Sequence, residues 1–114
     1  MINATFTRDD ETRELQLIVD GHSGTAPAGQ DIVCSAASIL VGVAELMTRS
    51  SADDLDDVDI DMGSGHAQIY VKAKDDDTYG ELARVFLYAH AGYQILQSMY
   101  PDAVSVNDYD DIGD

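Results

Sequence analysis

Four segments of the chain alternate apolar and polar residues with a period of two, which is typical of strands with one buried face. Ile2–Arg8 and Glu14–Gly21 are joined by a short polar turn, and Val58–Gly63 and His66–Lys74 are joined by the glycine turn at residues 63–65. Because short turns connect antiparallel neighbours, the pattern predicts two hairpins.

Two further segments follow the helical period. Residues 32–47 are apolar on nearly every side, and Asp31 is predicted to be the N-cap of this helix. From Leu82 to Tyr100, apolar residues recur at i, i+3, i+4 and i+7, which predicts a long amphipathic helix that ends before Pro101. A helix that is apolar all round has to be covered on more than one face, either by a sheet and the second helix or by a second subunit.

These elements, with a last short strand in residues 103–108, give the order β-β-α-β-β-α-β. The expected fold class is α+β, with one mixed, mostly antiparallel sheet and two packed helices. A length of 114 residues fits a single domain, which is predicted to cover residues 1–107. Residues 108–114 are predicted to be a disordered acidic tail, and residues 50–57 an acidic linker before the third strand. The inward-facing residues of that third strand are expected to be Val58, Ile60 and Met62.

The charge of the chain is strongly one-sided, with 22 acidic and 6 basic residues and a formal net charge of −16. Such a surface repels nucleic acid phosphates and anionic lipids and attracts a basic partner, although solubility is the simpler explanation for the charge alone. The longest apolar run, residues 32–47, is shorter than the ~20 residues of a membrane span, and no secretory signal is recognised. We therefore expect a cytoplasmic protein that binds neither nucleic acid nor membrane.

Three short motifs suggest chemistry that their spacing does not support. GHSG lacks the final glycine of a nucleophile elbow, because Thr25 occupies the fifth position. A calcium-loop pattern in the third strand has its glycine one position late, at Gly63, and Gln68 where glutamate is required. One cysteine and three scattered histidines form no zinc pattern, so no metal and no cofactor are expected. His66 receives no role, and His90 is predicted to lie at the surface or at the core boundary.

The single cysteine, Cys34, is the strongest candidate for chemistry. With Asp31 as N-cap, Cys34 lies in the first helical turn, where unpaired backbone N–H groups and the helix dipole favour negative charge. Both effects favour the thiolate, which is the nucleophilic form of cysteine. The backbone N–H groups of Cys34 and Ser35 are then candidate donors to the oxyanion that forms when a carbonyl group is attacked.

His22 directly follows the second strand, and the loop after it returns the chain to the start of the helix. The strand end and the helix start can therefore lie side by side, with the imidazole within reach of the thiol. Such an imidazole stabilises the thiolate and then protonates the leaving amine. Ser38, at i+4 from Cys34, shares its helix face. The mobile part of the loop is expected to include Ser23, Gly24 and Gly29.

Other interpretations of these residues stay open. A lone cysteine in an apolar helix is commonly a small buried hydrophobic residue. A redox-sensing thiol is a weaker alternative, because no resolving cysteine is present. Asp31 either caps the helix or holds His22, and its charge opposes the thiolate if the carboxylate lies close to the sulfur atom.

Four elements of the sequence together resemble the ribosomal-processing cysteine protease family, Prp. They are the pair Gly21-His22, Gly29, the run Asp31-Ile32-Val33-Cys34, and Ser38. The chain length and the order of the elements agree with this family as well, so the resemblance covers nearly the whole chain.

The resemblance implies a catalytic dyad in which Cys34 is the nucleophile and His22 the general acid and base, with Asp31, Ser38 and Gly21 in support. It further implies a homodimer whose substrate is the large-subunit ribosomal protein numbered twenty-seven. A short, basic N-terminal extension of that protein would be removed after a pair of aromatic residues. The alternative function is an acidic, non-catalytic module that binds a basic ribosomal protein or an assembly factor.

Overall fold

The computed structural model describes residues 1–22 and 28–109. Its elements follow the predicted order β-β-α-β-β-α-β, with one additional 3₁₀ turn before the third strand. Their bounds are β1 (Ile2–Asp9), β2 (Glu14–Asp20), α1 (Ala28–Ser50), the 3₁₀ turn (Ala52–Asp54), β3 (Leu55–Gly63), β4 (His66–Ala73), α2 (Asp76–Met99) and β5 (Val104–Val106).

The strands form one five-stranded sheet in the order β3-β4-β2-β1-β5. The two predicted hairpins, β1–β2 and β3–β4, are confirmed, and β2 joins them by pairing antiparallel with β4. Among the strands in the described part of the chain, only the short β5 pairs in parallel, beside β1. The α+β class with a mixed, mostly antiparallel sheet is therefore confirmed. Because β2 and β4 are neighbours, the end of β2 lies directly beside the start of β4, where Asp20 pairs with His66.

The core lies between the helices and one face of the sheet. Every second residue of β2 and β4, and of β1 as far as Phe6, is buried, as the period-two pattern predicts. The largest fully buried side chains include Tyr93, Phe6, Phe86, Leu17 and Ile69.

Two contacts fix α1 against α2 and so determine where Cys34 lies. The buried hydroxyl of Tyr93 donates a hydrogen bond to the carbonyl oxygen of Ala37, one turn after Cys34, at 2.7 Å. Gly92 permits the close approach of the helices, because a Cβ atom at this position would lie 2.4 Å from Cδ2 of Leu40. These contacts hold α1 in a defined rotation about its own axis.

β3 is longer and less buried than its sequence pattern suggests. The strand begins at Leu55, inside the expected linker, with a bulge between Leu55 and Asp57. Val58 and Met62 stay 43% and 41% exposed, so the prediction of an inward-facing row is wrong for both. These residues pair with buried positions of β4, but β3 is the edge strand and lies beyond the area that the helices cover.

The C-terminal segment packs more extensively than expected. His90 is buried, and its Nε2 lies 2.5 Å from the carbonyl oxygen of Asn107, so its prediction as a surface or boundary residue is wrong. Tyr109 is 2% exposed, and its ring packs edge to face against Phe6 and at a tilt against His90. The packed domain therefore reaches at least Tyr109, and the rest of the predicted tail, from residue 110 on, lies outside the described residues.

Within the described residues, one helical segment is long and apolar enough to cross a membrane by length and composition. It covers Ile32–Ser50, with a mean hydropathy of 1.6, so the expectation that this run is too short is wrong on those two criteria. In the folded domain Val33, Ala37 and Val41 of this segment are buried, and α1 leaves an apolar outer face exposed.

The burial pattern of α2 provides a matched test of the fold. Leu82 is 1% exposed and Leu87, on the same helix, is 40% exposed. We expect Leu82→Ala to lower the free energy of unfolding by about 2–5 kcal/mol, because it leaves a cavity in the core. Leu87→Ala, the same chemical change, should cost less than about 1 kcal/mol. Urea unfolding of both variants measures the difference, and equal losses would contradict this packing.

Candidate active site

The helix that carries Cys34 begins earlier than its sequence suggests. α1 begins at Ala28, so Asp31 is its fourth residue and Gly29 belongs to the helix. Negative charge is favourable throughout the first turn of a helix, so an aspartate there does not mark the boundary. The predictions that Asp31 is the N-cap and that Gly29 is part of the mobile loop are therefore wrong.

The early start places Cys34 in the second turn of α1. In a regular helix the backbone N–H of each residue bonds to the carbonyl group four residues earlier, so the N–H groups of Cys34 and Ser35 are used within α1. The prediction of these groups as oxyanion donors depends on Cys34 lying in the first turn of the helix, and that position is wrong.

The position of His22 depends on two glycines. Gly21 has φ +107° and a Cβ atom there would lie 2.0 Å from the carbonyl oxygen of Met1, so no other residue fits without moving the backbone. The N–H of Gly21 donates to the carbonyl oxygen of Gly65, at 2.9 Å. Gly65 in turn has φ +72°, and a Cβ atom on it would lie 2.2 Å from Nε2 of His22. The imidazole of His22 therefore rests directly on the backbone of the β3–β4 turn.

His22 and Cys34 line the same pocket, which has a volume of about 330 Å³. One wall is formed by α1, including Cys34, Ala37 and Ser38, and the opposite wall by the end of β2 and the β3–β4 turn. Cys34 is partly buried and His22 is exposed. Solvent can therefore reach both side chains in the pocket. The arrangement provides the two side chains that thiol-dependent acyl transfer requires, a nucleophile and an acid–base group.

His66 is a second imidazole in this pocket, and sequence reasoning assigned it no role. Its Nδ1 donates to Oδ1 of Asp20 at 2.5 Å, across the β2–β4 pair, and its Nε2 lies 3.8 Å from Oδ2 of Asp61. The hydrogen bond to Asp20 and the negative charges of Asp20 and Asp61 raise the pKa of His66 above its ordinary value of 6.5. The pairing of β2 with β4 is the feature that brings His66 here, and it joins two hairpins that are far apart in the sequence.

Some of the other predicted site residues line the pocket, and others lie elsewhere or outside the described residues. Ser38 lines the pocket with Cys34, and Gly21 lines it beside His22. The backbone of Asp31 lies in the first turn of α1. Ser23 and Gly24 lie outside the described residues. Within residues 1–22 and 28–109, no three metal-binding side chains are grouped so that they could hold an ion.

An α+β fold with a pocket lined by both a cysteine and a histidine has the side chains that a cysteine protease requires. A family model described as cysteine protease Prp matches residues 1–105. The chain belongs to this family, which favours the enzyme over the non-catalytic binding module.

Two curated relatives are similar over nearly the whole chain. They are the ribosomal processing cysteine proteases Prp of two Staphylococcus aureus strains, Mu50 and NCTC 8325, each 26% identical over 108 residues. The match covers 94% of this chain and 98% of each relative.

Solved structures share the fold. The S. aureus protease Prp in complex with a substrate peptide has a TM-score of 0.69 at 20% identity, and its complex with a covalently linked product peptide has a TM-score of 0.67 at 22% identity. Both comparisons cover 94% of this chain and 98% of the other. A Streptococcus mutans protein has a TM-score of 0.67 at 24% identity, with 96% and 94% of the two chains covered.

The contact between Gly65 and His22 can be tested with two alanine variants in one turn. In Gly65→Ala the new methyl group collides with the imidazole and the backbone is strained, so we expect a loss of stability of about 1 kcal/mol or more and displaced NMR signals of the His22 ring. Gly63→Ala is the control, because a Cβ atom there would lie 3.9 Å from its nearest neighbour. Unchanged His22 signals in Gly65→Ala would contradict the contact.

Proposed function

We propose that this protein is a cytoplasmic endopeptidase that removes the N-terminal extension of the large-subunit ribosomal protein numbered twenty-seven. Cys34 is the nucleophile and His22 the general acid and base. The observation that carries the proposal is the pocket of about 330 Å³ that both side chains line. The names of the relatives support a ribosomal substrate, and the Prp resemblance of the Gly21-His22 and Asp31–Cys34 motifs supports the particular one.

The chemistry follows from the two groups. The thiolate of Cys34 adds to the carbonyl carbon of the scissile bond, and the resulting tetrahedral intermediate carries the negative charge on oxygen. Protonated His22 gives its proton to the amide nitrogen, the C–N bond breaks, and the C-terminal fragment leaves as an amine while a thioester remains on Cys34. Neutral His22 then takes a proton from water, the hydroxide adds to the thioester, and the acid and the thiolate separate. The covalent product complex of the S. aureus protease is consistent with such an intermediate.

The charge of the protein supports a basic substrate. A net charge of −16 attracts a basic extension over several ångströms and raises the rate of encounter, more strongly at low ionic strength. Four of the 22 acidic residues are exposed aspartates of β3, the strand that leads into the turn beneath His22. The β3–β4 hairpin therefore carries both a row of negative charges and part of the pocket wall.

Peptide cleavage tests the dyad. On a peptide that copies the extension, with adjacent aromatic residues before the cut, we expect Cys34→Ala to abolish cleavage and His22→Ala to lower kcat by ~10²–10⁴. Ser38→Ala should lower cleavage several-fold because Ser38 lines the pocket, whereas Ser98→Ala, an exposed site on α2, should not. Mass spectrometry of the products identifies the cut. Cleavage that persists in Cys34→Ala would refute the mechanism.

We also propose that the protein is a homodimer formed through the outer face of α1. Ile39, Val43 and Leu46 of this face are half or more exposed, and an apolar groove of about 650 Å³ runs between α1 and α2. Contiguous apolar surface of this kind is typical of interaction sites. The homodimer that the Prp resemblance implies would bury it.

A matched pair of valines tests this interface. Val43, on the outer face of α1, and Val58, on the edge strand β3, are similarly exposed. We expect Val43→Asp to dissociate the dimer in sedimentation velocity, because it buries a charge in the interface. Val58→Asp should leave the dimer intact. A wild-type protein that is monomeric at all concentrations, or dissociation by both variants alike, would contradict the proposed face.

A further inference from the structure

Among the described residues that line the pocket, the side chains that could donate to an oxyanion are Ser38, Ser64, His22 and His66. Acyl transfer from an amide develops negative charge on the carbonyl oxygen, and cysteine proteases depend on preorganised hydrogen-bond donors at that point. The N–H groups of Cys34 and Ser35 are used within α1. Among the described residues that line the pocket there is no lysine or arginine.

His66 has the properties that a preorganised donor to the oxyanion needs. Its ring is fixed from one side, because Nδ1 donates to Asp20 at 2.5 Å. Nε2 lies 3.8 Å from Oδ2 of Asp61, which is too long for a hydrogen bond, so this N–H can donate to a substrate atom. The two carboxylates favour the protonated ring, and a charged donor binds an oxyanion more strongly than the hydroxyl groups of Ser38 or Ser64 would.

We propose that His66 is a second catalytic imidazole, whose Nε2–H donates to the carbonyl oxygen of the scissile bond across the pocket from Cys34. Asp20 is the positioning residue that fixes the ring and favours its doubly protonated form, in which Nε2 carries the N–H. The proposal rests on the peptidase function proposed above, in which Cys34 is the nucleophile. It assigns different tasks to the two imidazoles, since His22 transfers a proton and His66 retains its own.

The pH dependence follows from the charges around His66. Asp20 from β2 and Asp61 from β3 face it, and His22, Cys34 and the Met1 ammonium group, which donates to the His22 carbonyl oxygen, lie at the same pocket or beside it. Because the carboxylates raise the pKa of His66, the charged donor persists to higher pH than in an ordinary histidine. Activity that depends on it is present below this pKa and is lost as the pH rises through it.

The kinetic test uses the extension peptide and two substitutions of one residue. We expect His66→Ala to lower kcat by ~10²–10³ with little change in KM, as for other oxyanion donors. His66→Gln, which keeps an N–H donor but no charge, should recover part of the loss. Thermal unfolding of each variant verifies that the fold is kept.

The positioning role of Asp20 is tested by the pH profile of kcat. We expect Asp20→Asn to move the alkaline limb to lower pH, because His66 loses the carboxylate that favours its charged form. Asp59→Asn is the matched control, since it removes the same charge from an exposed position of β3 two residues from Asp61. A limb that moves equally in both variants would show a general charge effect and contradict the role of Asp20.

The outcomes separate this inference from the function on which it rests. Wild-type kcat in His66→Ala, or a loss that appears only in KM, overturns the role of His66 while the dyad stands if Cys34→Ala is inactive. No cleavage by the wild-type protein overturns the proposed function and the role of His66 with it.

Discussion

The contact between the imidazole of His22 and the bare backbone of Gly65 is the constraint on which the pocket depends. It requires the end of β2 to lie against the β3–β4 turn, and the hydrogen bond from Gly21 to Gly65 provides this. A Cβ atom at Gly21 would collide with the backbone of Met1 and one at Gly65 with the ring of His22, and both glycines have positive φ. On the opposite side, the hydroxyl of Tyr93 holds the carbonyl group of Ala37 and so sets the rotation of α1. The two candidate catalytic side chains thus line one pocket from elements that are held independently.

Local patterns in the sequence predict most of the fold and only part of the site. The pattern of apolar residues is a clear signal in β1, β2, β4 and α2, because each of these elements has one buried face. The ends of α1 were predicted less accurately, since the acidic residue Asp31 is equally favourable at the cap and within the first turn. The exposure of Val58 could not be predicted from alternation, because edge position depends on strand order.

No role could be predicted for His66 for the same reason, because the order of the strands is not visible in the local pattern. The sequence places it at the start of a strand after a turn, which the structure confirms, but its neighbours come from the pairing of β2 with β4. That pairing brings Asp20 and His66 together from positions 46 residues apart. A short loop connects the elements of His22 and Cys34, so their proximity could be predicted from the chain itself, and both line one pocket. A side chain brought in by a non-sequential strand leaves no local signal.

The acidic edge strand has a consequence for how copies of this chain can meet. β3 presents unpaired backbone groups along one side of the sheet, and such edges can pair with the edge of another molecule. Asp57, Asp59 and Asp61 recur along it, so two such strands side by side would bring rows of like charge within a few ångströms of each other. Continuation of the sheet into a fibre is therefore disfavoured by electrostatic repulsion, whereas the exposed Ile39, Val43 and Leu46 of α1 carry no charge that would oppose contact between two copies.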